Sequence, residues 1–224
     1  MKKFAIRLLS MTAGLFLYAL GIVLTMKADI GYGPWEVFHA GLANVTGLSI
    51  GVASIFAGIA IVIIVTLFKE KFGIGTLGSM VVTGLLMDLI IWIDVIPSPR
   101  HLPLGIAMLT AGLFIIALGS YFYIRSAFGA GPRDNLMVVL ARKTKMPVGV
   151  CRGIVEVSVT LTGWALGGTV GIGTVIAGFA IGFCIQITFA VFKFDATAVK
   201  HETLKQTLYM TARKNKLLRK KERS

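Results

Sequence analysis

Long apolar runs dominate the chain, at residues 8–26, 50–68, 75–93, 102–124, 148–168 and 173–192. Five are nearly free of charge, whereas the run at 148–168 is interrupted by Arg152 and Glu156. Each is close to the ~20 residues a helix needs to cross a ~30 Å hydrocarbon core. The pattern predicts six membrane helices packed on one another within lipid. Two shorter segments lie between spans, "PWEVFHAGLANVT" at 34–46 and "PRDNLMVVLARKT" at 132–144. Each begins with proline and carries an acid in its first turn, which are helix-start signals. At ~1.5 Å per residue these helices are about 20 Å long, too short to cross. They predict interfacial or re-entrant pieces.

The pattern repeats at a fixed offset. "TAGLFLYALG" begins at Thr12 and "TAGLFIIALG" at Thr110, 98 residues later. The same ungapped offset places Gly31, Gly33 and Pro34 on Gly129, Gly131 and Pro132, and Glu36 on Asp134. "GIGT" at 73–76 falls on "GIGT" at 171–174. Glycine, proline and charged anchors do not coincide through apolar bias, so the chain is read as an internal duplication over roughly 7–95 and 105–193. The resulting units are 1–98, 99–193 and a basic tail at 194–224.

Each copy carries three spans, and an odd repeat enters the membrane upside down the second time. The loop charges agree. Residues 27–49 carry Lys27 against Asp29 and Glu36, whereas 125–147 carry Arg125, Arg133, Arg142, Lys143 and Lys145 against Asp134. Lys2, Lys3, Arg7, Lys69, Lys71 and the tail then share the basic side, which predicts both termini in the cytoplasm. The expected fold is therefore an all-α polytopic membrane protein. Its six transmembrane helices form two inverted-topology three-helix repeats, each with a short interfacial or re-entrant helix.

Composition sharpens this picture. The chain is 56% hydrophobic and only 15% charged, against about a quarter charged in soluble domains. Its net charge of +13 does not point to nucleic acid, because residues 193–224 alone hold ten Lys or Arg against three Asp or Glu. That tail reads as a cytoplasmic segment, or as an interfacial helix on anionic lipid with Leu204, Leu208 and Tyr209 on one face. The start resembles a signal peptide, but its decamer recurs inside the chain as a span. Cys151 and Cys184 have no partner pattern and read as small core residues.

Gly14 with Gly21, Gly112 with Gly119, and Gly178 with Gly182 have spacings that favour close helix packing. "DIGYGPWE" and "FGAGPRD" combine flexible glycines with a helix start whose free N–H groups form an anion-friendly concavity. Either these are capped turns or they form part of a central solute site, as in inverted-repeat transporters. The candidate substrate-binding residues are Gly31, Gly33, Pro34, Glu36, Gly129, Gly131, Pro132 and Asp134. Ionisable groups inside spans add Asp88, its counterpart Gln186, and Glu156. Arg152 stands one turn before Glu156 and is its expected i,i+4 partner. Lys27 and Arg125 end the first span of each copy, either as interfacial anchors or as cations beside an anionic or zwitterionic solute. The three histidines are scattered, and no HExxH, GxSxG or paired-cysteine set occurs. No catalytic residue, metal or cofactor is expected, and the protein is not read as an enzyme.

At "GYGPWEVFHAGL", "TGLSIGVAS" and "FGIGTLGSMVVTGLLMDLI" the chain resembles the YczE/YyaS/YitT family of bacterial integral membrane proteins. The resemblance covers roughly residues 5–192 and implies a bacterial inner-membrane protein. Arg133 stands in the second copy where the first has Trp35, so a role for that tryptophan does not carry over. Two functions follow as expectations. One is a small secondary transporter or permease for a small solute bound between the halves. The other is a membrane scaffold or accessory factor supporting a cytoplasmic biosynthetic or regulatory partner. The six spans form either a complete bundle around a site or half of a homodimer.

Overall fold

A computed structural model describes residues 2–68, 73–129, 131–146, 148–195 and 199. Lys69, Lys71 and the tail beyond residue 195, apart from residue 199, lie outside the described residues. Eight helices follow in order: α1 Lys2–Lys27, α2 Pro34–Thr46, α3 Ile50–Leu67, α4 Ile74–Ile93, α5 Leu102–Arg125, α6 Pro132–Thr144, α7 Val148–Ala165 and α8 Ile172–Val191. There is no strand among the described residues. Five helices, α1, α3, α4, α5 and α8, are long and apolar enough to cross a membrane. The expected sixth, α7, is not among them; it has 18 residues, but Arg152 and Glu156 dilute its apolarity. Large apolar side chains such as Trp92, Phe179 and Leu67 are exposed, as a lipid-facing surface requires. The protein is a multi-pass helical membrane protein.

The centre is the pair α1 and α5, packed antiparallel through the decamer glycines. A β-carbon on Gly119 would lie 2.8 Å from the Gly14 carbonyl oxygen, and one on Gly112 would lie 2.9 Å from that of Gly21. Small residues let the two backbones touch. The contacts map onto each other under the 98-residue offset, since Gly14 corresponds to Gly112 and Gly21 to Gly119. Ala19, Ile22, Val23, Leu109, Leu113 and Ala117 fill the buried core around this seam.

The remaining packing obeys the same exchange. α4 packs on α1 and α8 on α5, while α2 packs on α7 and α6 on α3. The Gly75 N–H donates to the Phe128 carbonyl at 3.0 Å, and its counterpart, Gly173 N–H, donates to the Ile30 carbonyl at 2.7 Å. Gly31 and Gly129, both at positive φ, lie against the starts of α8 and α4 respectively. Gly41 of α2 meets Gly163 of α7, where the other half sets Val139 of α6 in one apolar cluster with Val65 of α3.

One interface breaks the correspondence. α3 and α4 pack closely, with Gly84 against Gly51 and Ile55. At the equivalent places on α7 and α8, Gly153 and Gly182 have nothing within 4 Å of where a β-carbon would stand. The expected Gly178–Gly182 packing motif therefore does not join α8 to α7 here: Gly178 meets the Pro34 ring of α2, at 3.6 Å, and Gly182 faces open space.

Candidate functional site

α2 and α6 are positioned by their ends. Gly33 and Gly131 are the N-cap residues, both in extended conformation, and proline follows each. Neither N-cap supplies a side-chain hydrogen bond to its helix. The C-terminal ends diverge. Asn44 of α2 donates to the Gly167 carbonyl at 2.8 Å, beyond the end of α7, whereas Lys143 of α6 lies 5.7 Å from the Phe68 ring, at the end of α3. The N-terminal ends converge, because Arg133 of α6 reaches Glu36 of α2 with Nη2 3.4 Å from Oε1. The two short helices thus point at each other inside the bundle, each seated on a helix of the other half.

Their meeting point lines a cavity of about 360 Å³, within the roughly 300–1,000 Å³ range of small-molecule sites. Its polar side carries Glu36, His39, Arg133, Arg152 and Glu156. The rest is largely apolar, with Ile22 from α1, Met80 from α4, Leu113 and Ile116 from α5, and Ile181 from α8. Glu36 is 8% exposed and His39 1%. Glu36 folds back over its own helix start, its Oε2 standing 2.6 Å from where a Gly33 β-carbon would be. A carboxylate there is favoured by the α2 dipole. The Arg133 guanidinium lies 4.7 Å from the Trp35 ring centroid, a cation–π contact that fixes its plane. Arg152 Nε donates to Glu156 Oε1 at 2.8 Å, the i,i+4 pair that the spacing predicted. The His39 Nδ1 is buried without a hydrogen-bond partner.

Of the sequence candidates, Gly33, Pro34, Glu36, Gly131, Pro132, Glu156 and Arg152 line this cavity. Gly31 and Gly129 are a layer away and make the tight turns that abut α8 and α4. Asp134 lies in the first turn of α6, but its side chain is outside the described residues. Asp88 is elsewhere. It accepts hydrogen bonds from Ser49 Oγ and, at 2.8 Å, from Gly51 N–H, so it caps α3 and does not face the cavity. Gln186 is exposed on α8, because α7 does not close over it as α3 closes over Asp88. Lys27 pairs with Asp94, and Arg125 Nη1 donates to the Tyr121 hydroxyl at 2.7 Å. Neither of these cations lines the cavity.

Trp35, His39 and Arg133 line the cavity and are not among the sequence candidates. The charge count of 125–147 takes Arg133 as one of the basic residues on the cytoplasmic side, yet its side chain enters the cavity from the start of α6. Its signal was available, since it falls on Trp35 directly after the shared proline. His39 follows Glu36 by three residues and so shares its helix face. Among the described residues, no group of three or more His, Cys, Asp or Glu side chains could hold a metal ion.

Fold and site together define a polytopic helical membrane protein with a charged, internally lined cavity. Residues 5–189 match the model of a family of unknown function, DUF6198. The chain is 32% identical over 178 residues to the uncharacterized membrane protein YczE of Bacillus subtilis, covering 79% of this chain and 82% of that one. It is also 32% identical over 180 residues to an uncharacterized protein of Haemophilus influenzae, covering 78% and 82%. The uncharacterized protein YyaS of Bacillus subtilis is 26% identical over 168 residues, covering 73% and 82%. No solved structure matches the chain significantly. The chain belongs to the DUF6198 family, among bacterial membrane proteins of the YczE type. These relatives bear out the resemblance to YczE and YyaS and do not bear on YitT.

Proposed function

We propose that the protein is a small secondary transporter or permease of the bacterial cytoplasmic membrane. In this reading α7 is the sixth span, the two three-span halves are inverted, and both termini are cytoplasmic. A small solute binds in the central cavity, and the halves rock about it. The carrying observation is the convergence of the α2 and α6 N-termini on a cavity between the halves, each short helix resting on the other half. Discontinuous helices meeting at mid-depth are how inverted-repeat transporters bind solutes. The antiparallel packing of α1 on α5 supports the inversion, since equivalent helices in inverted halves run in opposite directions. No chemical step is assigned to the cavity.

Proteoliposomes containing the purified protein test this reading with a broad panel of labelled small solutes. Flux of at least one solute is expected, reduced about tenfold or more by Arg133→Gln and by Glu156→Gln. Folded protein that neither binds nor moves any solute overturns it. The alternative is a scaffold or accessory factor acting through the basic tail, whose concentrated positive charge favours an acidic partner or lipid surface. Deleting residues 200–224 separates the two: a scaffold loses its partner, whereas a transporter keeps its flux.

A further inference from the structure

We infer that the cavity selects an organic monoanion with an apolar body. The anionic group is held between Arg133 and the His39 side of α2, and the body lies along α1, α5 and α8. The inference rests on reading the cavity as the solute site and adds the class of solute.

Charge balance carries the first step. Among the described cavity side chains, Arg133 and Arg152 are matched by Glu36 and Glu156. The positive end of the α2 dipole already faces Glu36, whereas the α6 end, roughly half an elementary charge, adds to the Arg133 guanidinium in its own first turn. Neither N-cap glycine supplies a side-chain hydrogen bond. A helix start and a guanidinium directed at one space favour an added negative charge. A cation would meet the same field as repulsion.

Hydrogen-bonding capacity carries the second step. A guanidinium has five N–H donors in a planar fork suited to a carboxylate. Arg133 spends two of them on one Glu36 oxygen, at 3.4 and 3.5 Å, near the limit of a useful hydrogen bond. Stacking on Trp35 fixes the fork without consuming donors. His39, 1% exposed, belongs to the same lining, and its Nδ1 is buried without a partner. A buried polar atom left unpaired is costly, so a turn of the ring that meets a ligand oxygen is favoured. As a neutral imidazole carrying its proton on Nδ1, it then donates to the second carboxylate oxygen.

The walls carry the third step. Away from this polar cluster the lining is mainly apolar, with Leu15, Ile22, Leu113, Ile116, Ile181 and Phe189. The hydroxyls of Thr25, Ser54, Ser79 and Ser120 also reach the lining, but each donates to a carbonyl of its own helix, so the wall favours a mainly apolar body.

A matched probe series tests the inference on the native protein in detergent, by calorimetry and by tryptophan fluorescence. The probes are 4-phenylbutyrate, its amide, 4-phenylbutylamine, the zwitterion 2-amino-4-phenylbutyrate, and acetate. The acid is expected to bind at least tenfold more tightly than any of the other four. Arg133→Gln is expected to weaken the acid tenfold or more and the amide little, in protein that still elutes as a folded, monodisperse species, with a lower unfolding midpoint because Glu36 loses its partner. Arg133→Lys restores part of the loss. The inference is overturned if the amide, amine or zwitterion binds as tightly as the acid. It is equally overturned if none of the five binds folded protein. The transporter reading fails separately: an acid that binds but is never moved across proteoliposomes removes transport and leaves this inference standing. Flux of a solute class that the acid does not compete with removes the inference and leaves transport standing.

Discussion

Ala127 follows α5 with φ +60°, and its counterpart Asp29 follows α1 with φ +54°. The same holds for Lys145 at +58° and Gly47 at +71°. Left-handed backbone costs a residue with a β-carbon about 1–2 kcal/mol relative to glycine. The turn geometry has therefore been kept in both halves where the residue type has not. Ala127→Gly is expected to raise stability by up to about 1 kcal/mol, less than the strain because glycine also gains freedom in the unfolded chain. Thermal unfolding in detergent measures it, and a lower midpoint would contradict it. Asp88 is the second residue-scale case. Its carboxylate accepts from Ser49 and Gly51 at the start of α3, a capping role worth about 1–2 kcal/mol. Asp88→Ala should lower the unfolding midpoint accordingly while leaving binding in the central cavity unchanged. A loss of solute binding at full stability would return Asp88 to the site.

Helix elements here are defined as much by where they stop as by where they run. α1 and α5 touch along glycines, with a Gly14 β-carbon standing 2.6 Å from the Tyr123 backbone nitrogen. Backbone cannot yield as a flexible side chain does. Gly14→Leu is expected to separate α1 from α5 and cost several kcal/mol, at or beyond the upper end of overpacking penalties of roughly 1–3 kcal/mol. Its reading is loss of monodisperse protein on size exclusion; a normal yield with a normal midpoint would show that the seam has slack. α2 and α6 stop short for a different reason. Each starts at a glycine–proline turn and ends about 20 Å later, so it reaches from the cavity to one end of the bundle. α3, 18 residues long, packs against both of them.

Across the whole molecule, the offset predicts opposite ends for equivalent positions. Val45 is 65% exposed, and its counterpart Lys143 is also exposed. In intact cells Val45→Cys should react with an impermeant maleimide from outside and Lys143→Cys only after permeabilisation. Equal reactivity from one side would end the inverted reading. The halves also differ in packing. Gly84 is closed against Gly51 and Ile55, whereas Gly182 faces open space. If the halves exchange conformations during transport, α7 must close on α8 while α3 leaves α4. Gly84→Leu is then expected to prevent folding, because the side chain meets backbone. Gly182→Leu should fold and bind solute yet lose most of its flux, because only the alternate state needs that space. Full flux with Gly182→Leu would exclude closure of this seam.

Much of the architecture was legible along the chain. Five of the six expected apolar runs became helices able to span, since lipid leaves a backbone few other ways to satisfy its hydrogen bonds. The two short helices begin at the prolines the pattern marked, because a helix start is a local event of a few residues. The site was legible in part, through Gly33, Glu36, Gly131, Arg152 and Glu156. Asp88 and Gln186 misled, since a polar residue in an apolar run shows only that it needs a partner and never which one. Arg133 and His39 were missed, since a helix start is visible along the chain whereas the direction in which its first turns point is not.

The sequence by itself determined the membrane class, the 98-residue duplication and the places where helices begin. Those properties depend on composition and on residues a few positions apart. Only the tertiary structure decided that α2 and α6 meet head to head, that Asp88 caps α3, and that α7 stands away from α8. The first two are contacts between residues tens of positions apart and the third is the absence of one, all decided by three-dimensional packing, and periodicity along one chain carries no term for them.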